Sequence, residues 1–138
     1  MTRQCIGGDP AESPAIANEM RRRSPLHELE QAKNVPLEIA AGVFDGHDGA
    51  PIPIWHSLMA FNVIAEAVGE PGVSAEEIAQ LSRHEPRLDH PKETDEVVDP
   101  TFGRHIFLRR YAGKTRVTIF EGAHERLPGA ALAWFDAH

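Results

Sequence analysis

One stretch constrains this chain more than any other: Val35-Pro-Leu-Glu-Ile-Ala-Ala-Gly-Val-Phe-Asp45-Gly-His-Asp-Gly-Ala-Pro-Ile-Pro53. Leu37 to Ala41 reads as a buried strand, and the run dense in Gly and Pro that follows reads as a loop. Asp45 sits where the strand ends, and Asp48 follows three residues on. In an open α/β sheet, ligands and catalytic groups gather at the carboxyl ends of the strands. A carboxylate just past an apolar strand is therefore a functional candidate. Asp beside Gly also closes turns, so on this stretch alone the two readings stand side by side.

Near the other end, Arg116-Val-Thr-Ile-Phe-Glu-Gly-Ala-His124-Glu repeats the pattern: an apolar, β-branched strand, then Gly, then a histidine. Two strands that each deliver one catalytic-type side chain to the same sheet edge suggest an Asp–His pair. In such a pair the carboxylate fixes the imidazole tautomer and stabilises the imidazolium.

Gly42-Val-Phe-Asp45 followed by Ile52-Pro53 and Ser57, together with Phe120-Glu-Gly-Ala-His124-Glu, resembles the end of an α/β-hydrolase. The likeness is to the prolyl-oligopeptidase-like serine hydrolases, whose acid loop has the form G-x-x-D-x-x-V-P and whose histidine lies in a G-x-H-[EG] loop. It spans roughly Ser24 to His138. It implies an α/β fold and acyl transfer to water from a peptide or ester substrate, with no cofactor. His124 would serve as general base on a serine and then as general acid to the leaving group, with Asp45 holding its ring. The sequence departs from the pattern in two places. Extra residues separate Asp45 from Ile52-Pro53, which leaves Asp48 as a rival acid. The G-x-S-x-G nucleophile elbow, which precedes the acid in such enzymes, is not in this sequence.

Length sharpens this expectation. The chain's 138 residues suffice for one domain, but a complete α/β-hydrolase needs far more. The sequence therefore reads as the C-terminal part of a serine peptidase or esterase, inactive as this chain alone. Residues 1–34 would form a lid-like helical segment, and residues 35–138 would carry the acid and the histidine. A net charge of −7 argues against nucleic-acid or anionic-membrane partners, and no apolar run approaches the ~20 residues of a membrane span. The single Cys5 rules out an internal disulfide and a Cys-based zinc motif. Cys5-Ile-Gly-Gly8 echoes a nucleophile elbow only faintly, because no strand precedes it.

In chain order, residues 14–23 predict a short helix with basic residues near its C-terminal end. Ser24-Pro25 predicts the cap of another helix running through Lys33, with Leu26, Leu29 and Ala32 on one face. Ile54 to Val68 has helical spacing, and Ser74-Ala-Glu-Glu77 is a capping box that opens a helix to about Arg83. Residues 84–103 are charged and aperiodic, and read as a surface insertion or flexible loop. Residues 105–111 and 114–120 predict a hairpin, and Leu127 to Phe135 a final apolar helix. His124-Glu-Arg-Leu-Pro128 is not a zinc-binding H-E-x-x-H, because Pro128 replaces the second histidine.

The predicted sheet places strand 37–41 parallel to strand 116–120, with strand 105–111 antiparallel on the far side of the latter. One edge of strand 37–41 stays open. Two other classes of function are compatible with the residues. One is a non-catalytic interaction protein, derived from a hydrolase half, that associates through this edge, with self-association as one form. The other is a small metal-binding protein using His47, Asp48, His84 and His90.

Overall fold

The computed structural model describes residues 8–46 and 52–138. Three strands form one mixed sheet: β1 (Leu37–Gly42), β2 (Ile106–Ala112) and β3 (Thr115–Phe120), in the order β1-β3-β2. β1 runs parallel to β3, with Ile39 opposite Val117 and Gly42 opposite Phe120. β2 runs antiparallel to β3, joined to it by a tight turn and bulged between Ile106 and Leu108. This is the pairing that the apolar, β-branched runs predict. β3 lies in the middle, and all of its residues except Arg116 are buried.

One face of the sheet is covered by α2 (Trp55–Val68), which places Leu58, Phe61 and Ala65 against Leu108, Val117 and Ile119. The opposite face carries a smaller cluster of Phe102, Ile106, Phe120 and Ala130 beneath the final helix, α4 (Pro128–Ala137). A short helix, α1 (Pro14–Arg22), and a 3₁₀ segment (Pro25–Ala32) precede β1, and the 3₁₀ segment packs against α2. α3 (Ala75–Leu81) opens with the predicted capping box: Ser74 Oγ accepts from the Glu77 amide at 3.1 Å, and Glu77 Oε2 accepts from the Ser74 amide at 2.8 Å.

Two readings need correction. The helix expected after Ser24 is a 3₁₀ helix, and the Ser24 side chain makes no capping bond. The reason lies in the spacing: Leu26, Leu29 and Ala32 recur every three residues and are its half-buried positions. A three-residue turn stacks such positions directly over one another. The second correction concerns residues 84–103. They are irregular as expected, but they are not merely a surface insertion. Leu88, Asp95 and Phe102 are buried, and Asp95 is wholly inaccessible. Its carboxylate accepts from the Lys92 amide at 2.7 Å and from the Arg109 amide of β2 at 3.0 Å, and it pairs with the Arg110 guanidinium. The outer edge of β2 is thereby tied to this segment, which relieves an otherwise unpaired strand amide.

Arg109 and Arg110 are consecutive in β2, and both are buried. Successive strand residues point to opposite faces, so each needs its own partner. Arg110 reaches Glu77 of α3 at 2.8 Å, whereas Arg109 reaches Asp99 at 2.9 Å and Thr118 at 3.2 Å. Burial would raise the Glu77 carboxyl, but bonds from Ser74 and Arg110 overcome it and hold the group below its usual range. Burial opposes ionisation of Asp99 too, and bonds from Thr101 and Arg109 likewise keep it low. A carboxylate depressed in the folded state contributes stability above its unfolded pKa and loses it as pH falls through the folded value. Glu38 has the opposite sign: burial raises it above 4.5 despite its contacts with Arg116 and Thr118. Its contribution is full below that value and fades as pH rises through the folded pKa. With Glu77, Asp99 and Glu125 depressed against Glu38 raised, net stability is expected to fall as pH drops below about 4. Urea titrations between pH 3 and 7 check this, and Glu77→Gln should flatten the acid limb.

Candidate functional site

Because β1 and β3 are parallel and in register, both end at the same edge of the sheet. The pairing continues past their ends: the Val43 amide donates to Phe120 O at 2.8 Å, and the Phe44 amide to Gly122 O at 2.9 Å. Gly42 permits this approach. A Cβ at that position would collide with the carbonyl oxygens of Gly122 and Ala123, which are backbone atoms with little freedom to yield. Asp45 follows β1 and His124 follows β3, so the strands carry the two side chains into one another.

Asp45 Oδ2 lies 2.8 Å from His124 Nδ1. The carboxylate is buried, with 8% of its side chain exposed, whereas the imidazole is 61% exposed. The turn-closing reading of Asp45 predicts a carboxylate bonded to its own turn's backbone, as Asp99 bonds the Thr101 amide at 3.0 Å. Asp45 instead spends Oδ2 on the ring. Its other oxygen, Oδ1, is buried with no hydrogen-bond partner among the described residues. An ionised carboxylate can only accept, so Nδ1 carries the proton. In the neutral ring that leaves Nε2 with its lone pair, on an exposed side chain that a reacting hydroxyl or water can reach.

The rival acid, Asp48, lies outside the described residues, as do His47 and Cys5. Among the described residues no group of three or more His, Cys, Asp or Glu side chains is placed to hold a metal ion. His56, at the start of α2, is exposed and stacks on Trp55 with ring centroids 3.8 Å apart.

Two features near the pair were not anticipated. Glu125, next to the histidine, binds Arg104 at 2.5 Å, and that bond holds its carboxyl below the usual range. An apolar groove of about 580 Å³ runs between β1 and α4, lined by Leu37, Glu38, Ala40, Leu127, Trp134 and Phe135. Arg116 lies 4.8 Å from the centre of the Trp134 ring, which helps to seat that side chain over the sheet. Sequence carried little sign of either. Arg104 is 21 residues from Glu125, and the groove is made by packing α4 across the sheet.

The fold and site define a mixed α/β protein, with a small three-stranded sheet and flanking helices, that brings a buried carboxylate and an exposed imidazole together at the ends of two parallel strands. Comparisons with protein-family models, curated proteins and solved structures give no match.

Proposed function

We propose that Asp45 and His124 are the acid and the base of a Ser-Asp-His triad, and that this chain is the C-terminal portion of an α/β-hydrolase of the prolyl-oligopeptidase-like class, acting on a peptide or an ester. The observation that carries this reading is the 2.8 Å contact between a buried carboxylate and Nδ1 of a largely exposed imidazole. In that arrangement Nε2 takes the proton of a serine hydroxyl as the hydroxyl attacks the acyl carbon. The imidazolium is stabilised by Asp45 and returns the proton to the leaving group, and water repeats the cycle on the acyl-enzyme. The nucleophile and oxyanion donors would come from sequence preceding this portion, because the elbow motif is not in this sequence. The in-frame sequence upstream of Met1 tests this: a strand followed by G-x-S-x-G is expected, and a stop codon directly upstream contradicts it. The chain by itself is expected to hydrolyse activated esters no faster than background and to resist fluorophosphonate labelling. Stoichiometric serine labelling that disappears in His124→Ala would reveal a nucleophile within it.

One observation favours a second reading, an interaction protein that associates through β1. None of Leu37 to Ala41 is fully buried, although their β3 partners, Arg116 apart, all are. Among the described residues no strand pairs with the outer edge of β1, whereas the outer edge of β2 is tied down by Asp95. An unpaired strand edge is a template for strand pairing, and the single charge in β1, Glu38, is engaged by Arg116 rather than left free. The isolated chain is therefore expected to dimerise or aggregate with rising concentration. Static light scattering with thermal unfolding checks this, and a monomer at high concentration with a sharp transition argues against it.

A further inference from the structure

We propose that Arg104 and Glu125 form a clasp whose role is to position His124, an inference that rests on the reading of His124 as a base. The loop from Phe120 to His124 is held from two sides. On the β1 side the Phe44 amide holds Gly122 O, against Gly42. On the other side Glu125 Oε1 accepts from the Ala123 amide at 3.2 Å and from Arg104 Nη1 at 2.5 Å, and the same Nη1 donates to Glu121 O at 3.3 Å. One carboxylate oxygen and one guanidinium nitrogen thus bracket the turn that aims the imidazole. The clasp lies directly over Gly122: a Cβ there would run into Glu125 Oε1, Arg104 Nη1 and the Phe120 ring. Glycine at 122 is therefore required by the clasp itself.

Both clasp side chains are about one-third exposed, so their removal should leave the fold intact while the loop loosens. This separates a positioning role from general stability. The measurement is hydrogen exchange by NMR on the chain itself, read at two protons. One is the Phe44 amide, which reports the loop's attachment to β1. The other is the His124 Nδ1–H, which reports the bond to Asp45. Glu125→Ala and Arg104→Gln are each expected to speed exchange of the Phe44 amide by roughly tenfold, as for loss of a charge-assisted hydrogen bond, and to broaden the ring proton. Amides in the core of β3 should be unchanged. Glu125→Gln keeps an acceptor oxygen and should restore most of the protection. Gly122→Ala, which changes no charge, should reproduce the loosening by displacing the clasp. Phe44 and ring exchange unchanged in Glu125→Ala overturns the proposal. If the ring proton is missing from the unaltered chain, the Asp45–His124 reading fails, and the Phe44 amide still decides the clasp.

Discussion

Asp45→Asn, made in the longer, elbow-bearing hydrolase proposed above, is expected to lower kcat by roughly 10⁴-fold with little change in KM. The size of the effect follows from the tautomer. Asp45 can only accept, so the contact at 2.8 Å forces the proton onto Nδ1. An amide can instead present its NH₂ to Nδ1, which moves the ring proton to Nε2, the atom that must take the serine's proton. The side chains hardly move, yet the base is lost. Asp45→Ala should cost a similar amount, since it frees the ring. Steady-state kinetics on a chromogenic ester or peptide decide the matter. A loss of less than tenfold would mean that another acid, such as Asp48, orients His124, or that the pair is structural.

Asp95→Ala is expected to be the most destabilising single change, at about 3–5 kcal/mol. Asp95 is inaccessible, and Arg110, its ionic partner, is also buried. Removing the carboxylate leaves a guanidinium in a dry site, with Glu77 the remaining acid paired with it among the described residues. The Arg109 amide on the β2 edge loses its acceptor as well. A domain of this size has a total stability of roughly 5–15 kcal/mol, so the loss is a large fraction of the whole. Asp95→Asn keeps an acceptor oxygen and should cost clearly less. Urea midpoints of the two variants check this ordering.

Legibility differed by element for physical reasons. β3 stood out because a central strand covered on both faces is β-branched along most of its length, and β1 because its apolar run, interrupted only by Glu38, ends in the Gly-rich loop. The meeting of Asp45 and His124 could then be read from their positions just past the two strand ends. The Arg109–Arg110 pair was opaque. Consecutive arginines in a strand would ordinarily leave at least one in solvent, and both are buried only because acids from α3 and from residues 95–99 reach β2. Asp95 and Asp99 sit in an aperiodic, polar stretch, and nothing local marks Asp95 as buried and Glu96 as exposed. The 3₁₀ segment was readable in principle from its three-residue spacing, but the Ser-Pro start pointed equally to an α-helix.

The most direct test of the central claim is the protonation state of the His124 ring, read by ¹⁵N NMR on the isolated chain near neutral pH. The geometry predicts that the neutral form of the ring carries its proton on Nδ1 and leaves Nε2 bare, reverting in Asp45→Asn to the Nε2–H form. A ring that carries its proton on Nε2 in the unaltered chain, and that does not respond to Asp45→Asn, would contradict the account.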